Sequence, residues 1–156
     1  MRKAKLSLSP VKSQFSFDES NITNLSSKGM DYIISGIRDK MSLTEYDIEM
    51  MIYRTEEIIE NELKIKPIHG EITLNDFYLM DDLREAYFNG ALLITSDAIE
   101  KSFNIVAEAV SYGAMWINNK QLYLLTGLVF LREACHHLDI TAIHFMSHDG
   151  QNMTNV

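Results

Sequence analysis

Apolar residues recur along most of this chain at spacings of three and four. Met30, Ile33, Ile34, Ile37 and Met41 make one such stripe, predicting a first helix from just after Ser26 or Ser27 to about Met41. Ser42-Leu-Thr-Glu45 then has the pattern of a capping box, with Met41 and Tyr46 placed as a hydrophobic staple. It opens a second helix to about Leu63, with Ile48, Met51, Ile52, Ile58, Ile59 and Leu63 turned inward, and Pro67 ends it. Thr73 or Asn75 caps a third helix through to about Ile94, striped by Phe77, Met80, Leu83, Tyr87 and Ala91. Asp97 and Glu100 start a fourth, carrying Ile99, Phe103, Val106 and Val110, and Gly113 suits its end.

The strongest signal is Leu122–Leu138, LYLLTGLVFLREACHHL. Its first ten residues are uncharged and apolar on nearly every side, so this helix must be surrounded. It is too short to cross a bilayer, which needs about 20 apolar residues. Two stretches depart from helical spacing. Leu6-Ser-Leu8 and Phe15-Ser-Phe17 alternate within a serine-rich leader, as an edge strand or an extended arm would, and Ile140–Met146 is a short apolar run of either helical or extended form. The expected fold is therefore all-α: about five helices, with the amphipathic ones packed round a central hydrophobic helix at about 120–138. Residues 1–27 form a polar arm, 28–150 a single helical domain and 151–156 a C-terminal tail.

Charge changes this picture. The net charge is −8, and it is concentrated after residue 40, on a body whose sign repels phosphate and disfavours direct binding of nucleic acid. Asp47, Glu49, Glu56, Glu57 and Glu60 stand on the polar face of the second helix, with Arg54 as its one base, and Asp81, Asp82 and Glu85 on that of the third. Acids in such density suit a basic protein partner. The expected function is a non-catalytic, acidic interaction protein of the immunity, antitoxin or phage-inhibitor type. No membrane and no cofactor are expected, and a homodimer is compatible. A secretion chaperone or adaptor, using apolar grooves and the arm, is a further alternative. The single cysteine, Cys135, excludes an intrachain disulfide and fits a cytoplasmic setting.

Candidate chemistry is sparse. His137, His144 and His148 would share a face if one helix ran through all three, but Asp139 follows closely as a break, and no HExxH pattern is present. Glu56/Glu60 and Asp81/Glu85 are carboxylate pairs at helical spacing that would share a cation only if a facing helix completed the set. No metal site is expected. Arg132-Glu-Ala-Cys-His-His137 resembles the Arg-x4-His signature of the HEPN family of helical-bundle ribonucleases. That resemblance implies that Arg132 stabilises a charged phosphate transition state and that His137 does acid–base work on RNA. It stands as the alternative enzymatic reading.

Overall fold

The computed structural model describes residues 4–18 and 22–146. The expected C-terminal tail, 151–156, and His148 lie outside them. Among the described residues no helix is long and apolar enough to cross a membrane.

The chain is a mixed α/β structure and not an all-α bundle. Its centre is a six-stranded sheet of order β3-β2-β1-β5-β8-β6, and the leader expected as an arm supplies half of it. β1 (Ala4–Leu8) and β2 (Ser13–Phe17) form an antiparallel hairpin, continued by antiparallel β3 (Ile22–Ser26). The alternation read in the sequence is the strand period itself: Leu6, Leu8, Phe15 and Phe17 are buried, whereas Lys5, Ser7, Gln14 and Ser16 on the other face are only half-buried.

The rest of the sheet is assembled from distant segments. β5 (Gly70–Phe77) runs parallel to β1, β8 (Ile140–Phe145) runs parallel to β5, and β6 (Leu93–Thr95) closes the far edge antiparallel to β8. The helix expected from Thr73 to Ile94 is thus two strands flanking α3 (Met80–Phe88). Phe77, Met80 and Leu83 are all buried and do fall at helical spacing, but Ile72 and Leu74 alternate in β5, and Leu79 breaks the chain between them with φ 59°.

The expected first helix shrinks to a single turn, α1 (Met30–Ile33), because Gly36, Asp39 and Met41 all take positive φ. Ser42–Leu43 forms β4, paired with β7 (Met115–Trp116), so the cap of α2 (Glu45–Glu57) moves to Thr44, which makes the box with Asp47. α2 continues as a π-helical turn over Ile58–Leu63, and α4 (Ser96–Ser111) is capped by Thr95. α5 (Asn119–Leu138), capped by Asn118 and Gln121, packs on β8 and against α1, α2, α3 and α4. Leu125, Leu128, Val129, Phe130, Leu131 and Ala134 are fully enclosed. Gly127 lets it approach β5: a Cβ there would stand 2.9 Å from the Phe77 ring.

Candidate functional site

Parallel β1, β5 and β8 share a carboxyl end, the usual position of a ligand crevice in open α/β sheets. Two elements build its wall here. The first is the β1–β2 turn, Ser9–Lys12, which closes on itself: the Ser9 amide donates to the Lys12 carbonyl at 3.0 Å, and Ser9 Oγ accepts from the amides of Val11 and Lys12 at 3.3 and 3.1 Å. Pro10 has no amide to offer. The turn therefore spends its own N–H groups internally and presents the exposed Lys12 side chain. The start of α1 locks it from behind, with the Met30 and Asp31 amides donating to the carbonyls of Ser9 and Pro10 at 3.0 and 2.9 Å. This approach requires Gly29, where any Cβ would lie 2.3 Å from the Ser9 oxygen.

The second element is the β5–α3 connection. Asn75, Asp76, Tyr78, Asp81 and Asp82 border an open cavity of about 540 Å³, anchored where the Tyr78 amide donates to the Leu8 carbonyl at 2.8 Å. The amino terminus of α5 joins the same end. Tyr123 packs edge-on against Tyr78, donates to Asp31 at 2.5 Å and accepts from Arg38 at 3.0 Å. Burial first, then the Asp31 hydrogen bond, push the Tyr123 phenol upward, so it stays a neutral donor. Asn119 donates to Asp39 at 2.7 Å, and Lys120 pairs with Asp82 at 3.5 Å.

At the opposite, amino end of the parallel strands lies a different assembly. His137, in the last turn of α5, has Nδ1 2.9 Å from Glu60 Oε1 and Nε2 3.5 Å from Glu56 Oε2. Glu133, one turn back and buried, places Oε1 3.7 Å from His137 Nε2. Arg132 is tied to Glu133 at 2.6 Å and to Glu100 at 2.9 Å while lying over the Phe103 ring. Burial pushes the Glu133 carboxyl above the usual range, and the opposing pull of Arg132 and His136 does not cancel it. Glu100 goes the other way: burial raises it, but Arg132 and His136 outweigh that and hold it low.

The residues expected on two acidic faces have separate fates. Asp47 is a buried cap residue bonded to Lys40 at 2.9 Å and to the Thr44 amide at 3.0 Å. Glu57 is bound by Tyr32 and Lys28. Glu49, Glu56 and Glu60 do line one cavity, but Asp81 and Asp82 belong to the carboxyl-end crevice, where Arg84 holds Asp81 at 3.2 Å. Glu85 lies beside Gly90. His137 and His144 would share a helix face only without a break at Asp139; Asp139 takes positive φ, His137 ends α5, and His144 is on β8, bonded to Glu71 at 2.5 Å. Ser9, Lys12, Gly29, Asp31 and Tyr123 were missed, since only the docking of the start of α1 on the β1–β2 turn and the Tyr123–Asp31 hydrogen bond bring them together.

No family model and no curated protein matches this sequence. Solved structures do. The PPX-GPPA enzyme of Aquifex aeolicus superposes with a TM-score of 0.67 over 93% of this chain and 53% of its own, at 10% identity. The type II variant of the Aquifex aeolicus Ppx/GppA phosphatase gives 0.63 over 92% and 52%, also at 10% identity. The fold is that of about half of a Ppx/GppA phosphatase. A further Aquifex aeolicus family member agrees, with a TM-score of 0.62, 12% identity, and 92% and 51% coverage. The chain spans about half the length of these structures.

This likeness corrects the expected function. An inhibitor of the immunity or antitoxin type presupposes a helical bundle with two acidic faces, and a secretion adaptor presupposes apolar grooves and a free arm; the fold is instead one that houses phosphatases, with the arm built into its sheet. The HEPN reading fails with it. The protein is no helical bundle, Arg132 is consumed by Glu100 and Glu133, and His137 faces three carboxylates that would repel a phosphate.

Proposed function

We propose that this chain is a phosphatase domain that acts on a phosphate ester or anhydride at the carboxyl end of β1 and β5. The supporting observation is the likeness over 93% of the chain to a PPX-GPPA enzyme, joined to a cavity of about 540 Å³ at the strand ends where such sheets hold ligands. Because Ser9 Oγ occupies the turn's amides, phosphate contact falls to the Lys12 ammonium as a point charge. Asp76 on the cavity wall is the carboxylate placed to take a proton from an attacking water.

Phosphoryl chemistry commonly uses magnesium held by carboxylates, and of the three aspartates bordering the cavity only Asp76 has no cation among the described residues already paired with it, which is fewer donors than such a site needs. Asp81 and Asp82 are each engaged by a cation, Arg84 and Lys120, and a metal would have to break both pairs. No step is routed through one. Since the similar structures are about twice as long, the opposing wall of the crevice falls to a second lobe, from another domain or a second copy. The buried Cys135 thiol, pushed up to about 12 by burial and by Glu100, is unreactive and compatible with the cytoplasm.

The test is release of inorganic phosphate from a panel of phosphomonoesters and phosphoanhydrides. Lys12→Ala and Asp76→Asn should each lower turnover by about 10²-fold without loss of fold. Turnover that is undetectable across the panel, or unchanged in both variants, would overturn the assignment.

A further inference from the structure

We propose that Glu56, Glu60 and His137 form a binding site for a divalent transition-metal ion of the zinc class, at the amino end of the parallel strands and away from the crevice. The inference stands apart from the phosphatase reading. Each of the three residues offers one donor atom, and these atoms lie within 4.8 Å of one another. The two glutamates stand one turn apart on α2 and its π-helical continuation, and the imidazole comes from the facing helix α5. That is the facing ligand a carboxylate pair needs. In a tetrahedral zinc site the bond lengths place neighbouring donors about 3.3 Å apart. His137 turns Nδ1 to Glu60 at 2.9 Å and Nε2 to Glu56 at 3.5 Å, and only one of these nitrogens can bind a given ion; taking one donor atom from each residue, the three lie within 4.8 Å, and side-chain rotation has to bring them to that spacing.

Three further observations point to a cation. Glu133, with a side chain only 4% exposed, turns Oε1 toward His137. Arg132 donates to the other oxygen, and among the described residues the basic group that this one meets is the His137 imidazole, beyond hydrogen-bond length. Among the described residues neither Glu56 nor Glu60 forms an ion pair with a lysine or arginine. Three carboxylates thus converge on one imidazole, and among the described residues the one guanidinium ion-paired with any of them is Arg132, itself divided between Glu133 and Glu100. A dication supplies the missing charge. The site is also open, because Glu49, Ile52, Tyr53, Glu56 and Glu60 border an acidic cavity of about 350 Å³ through which water reaches the remaining coordination position. The π-helical turn that carries Glu60, closed by the Lys64 amide on the Ile59 carbonyl at 3.1 Å, is a form of helix found frequently at functional sites.

The full chain, stripped with a chelator, is titrated with zinc chloride by calorimetry, and cobalt(II) is added separately to read the visible bands of a tetrahedral site. One zinc per chain is expected, with Kd on the order of 1 μM or below. His137→Gln should weaken binding by about 100-fold or more and Glu60→Gln by at least about tenfold, both losing the cobalt bands. His144→Gln, at the exposed His144–Glu71 pair, should change neither. Should His137→Gln fail to fold, Glu60→Gln decides, because Glu60 is exposed. Absence of stoichiometric zinc, or equal affinity in wild type and Glu60→Gln, would show that His137 is itself the counter-charge of the carboxylates and overturn the metal site.

Discussion

The two ends of the parallel strands treat most of their acids in opposite ways. At the carboxyl end every carboxylate described above except Asp76 has a named donor or cation: Asp31 has Tyr123 and Arg38, Asp39 has Asn119, Asp81 has Arg84, Asp82 has Lys120, and Asp47 at the start of α2 has Lys40. At the amino end Glu56, Glu60 and Glu133 share one imidazole and part of one guanidinium. Compensated acids fix local structure, because a carboxylate in hydrogen bonds with a cation holds two elements in register. Uncompensated ones store repulsion that only a proton or a cation relieves. Net charge and helix-face counting cannot separate these cases, since the difference lies in what each acid meets across the fold.

The comparison is broken most severely at Gly29. Alanine there would set a Cβ 2.3 Å from the Ser9 oxygen and 2.5 Å from the Lys12 nitrogen. Both are backbone atoms of a closed turn, so the strain has no flexible side chain to absorb it. Gly29→Ala should cost about 3 kcal/mol in urea unfolding and abolish any crevice activity, while zinc binding by the folded fraction persists. Loss of both together would mean that the two ends are not independent.

A smaller effect is expected at Asp47. Burial alone would raise its carboxyl, but hydrogen bonds from Lys40 and Thr44 outweigh it and hold it below the usual range. Asp47→Ala should cost about 1–2 kcal/mol at neutral pH, a lost cap and a lost pair together. A carboxyl lowered on folding stabilises above its unfolded value of 3.8 and loses that contribution as the pH falls through the folded value. The gap between wild type and variant in thermal unfolding should therefore close in strong acid. By contrast, Glu56→Gln with Glu60→Gln in metal-free protein should move stability by no more than about 0.5 kcal/mol, or raise it, because exposed and mutually repelling acids are being removed.

What could be read from the chain alone follows from the range of the interactions involved. α2, α4 and α5 are local objects, and their stripes and capping residues are visible in windows of 10–20 residues. The sheet is not local. Ala4 pairs with Ile72 and Glu71 with Ala142, so β5 is a strand because of partners some 70 residues away on either side, and its own sequence also satisfies a helical count through Phe77 and Met80. Alternation in the leader was visible, but two five-residue segments do not reveal the parallel partner that makes them central. The same holds for the sites. Glu56 and Glu60 were legible as a pair at helical spacing, and what the sequence could not supply was His137 opposite them. In the crevice, Lys12 is an exposed lysine in a serine-rich stretch until β1 pairs with β5.

The finest test is at Glu133, where the two ends differ in sign. Its carboxyl is raised on folding, first by burial and then by Glu56, with Arg132 and His136 pulling against them. A carboxyl raised in this way contributes stability that is fully present below its unfolded value of 4.5 and is lost as the pH rises through the folded value. Wild-type metal-free protein should therefore lose a small increment of stability on going from about pH 4.5 toward neutrality, the opposite of the Asp47 trend. Glu133→Gln mimics the protonated form, keeps the shape, and leaves Arg132 its pair with Glu100. Thermal unfolding of this variant at pH 7 should be unchanged or raised, by about 1 kcal/mol at most, and the increment lost above pH 4.5 should disappear. Zinc should reverse the comparison: with the ion bound, three carboxylates become favourable and the wild type should gain more from it than Glu133→Gln. If Glu133→Gln is instead destabilised by several kcal/mol at pH 7 without metal, the Arg132–Glu133 pair is the structural core of this end, and its acids are compensated as fully as those of the crevice.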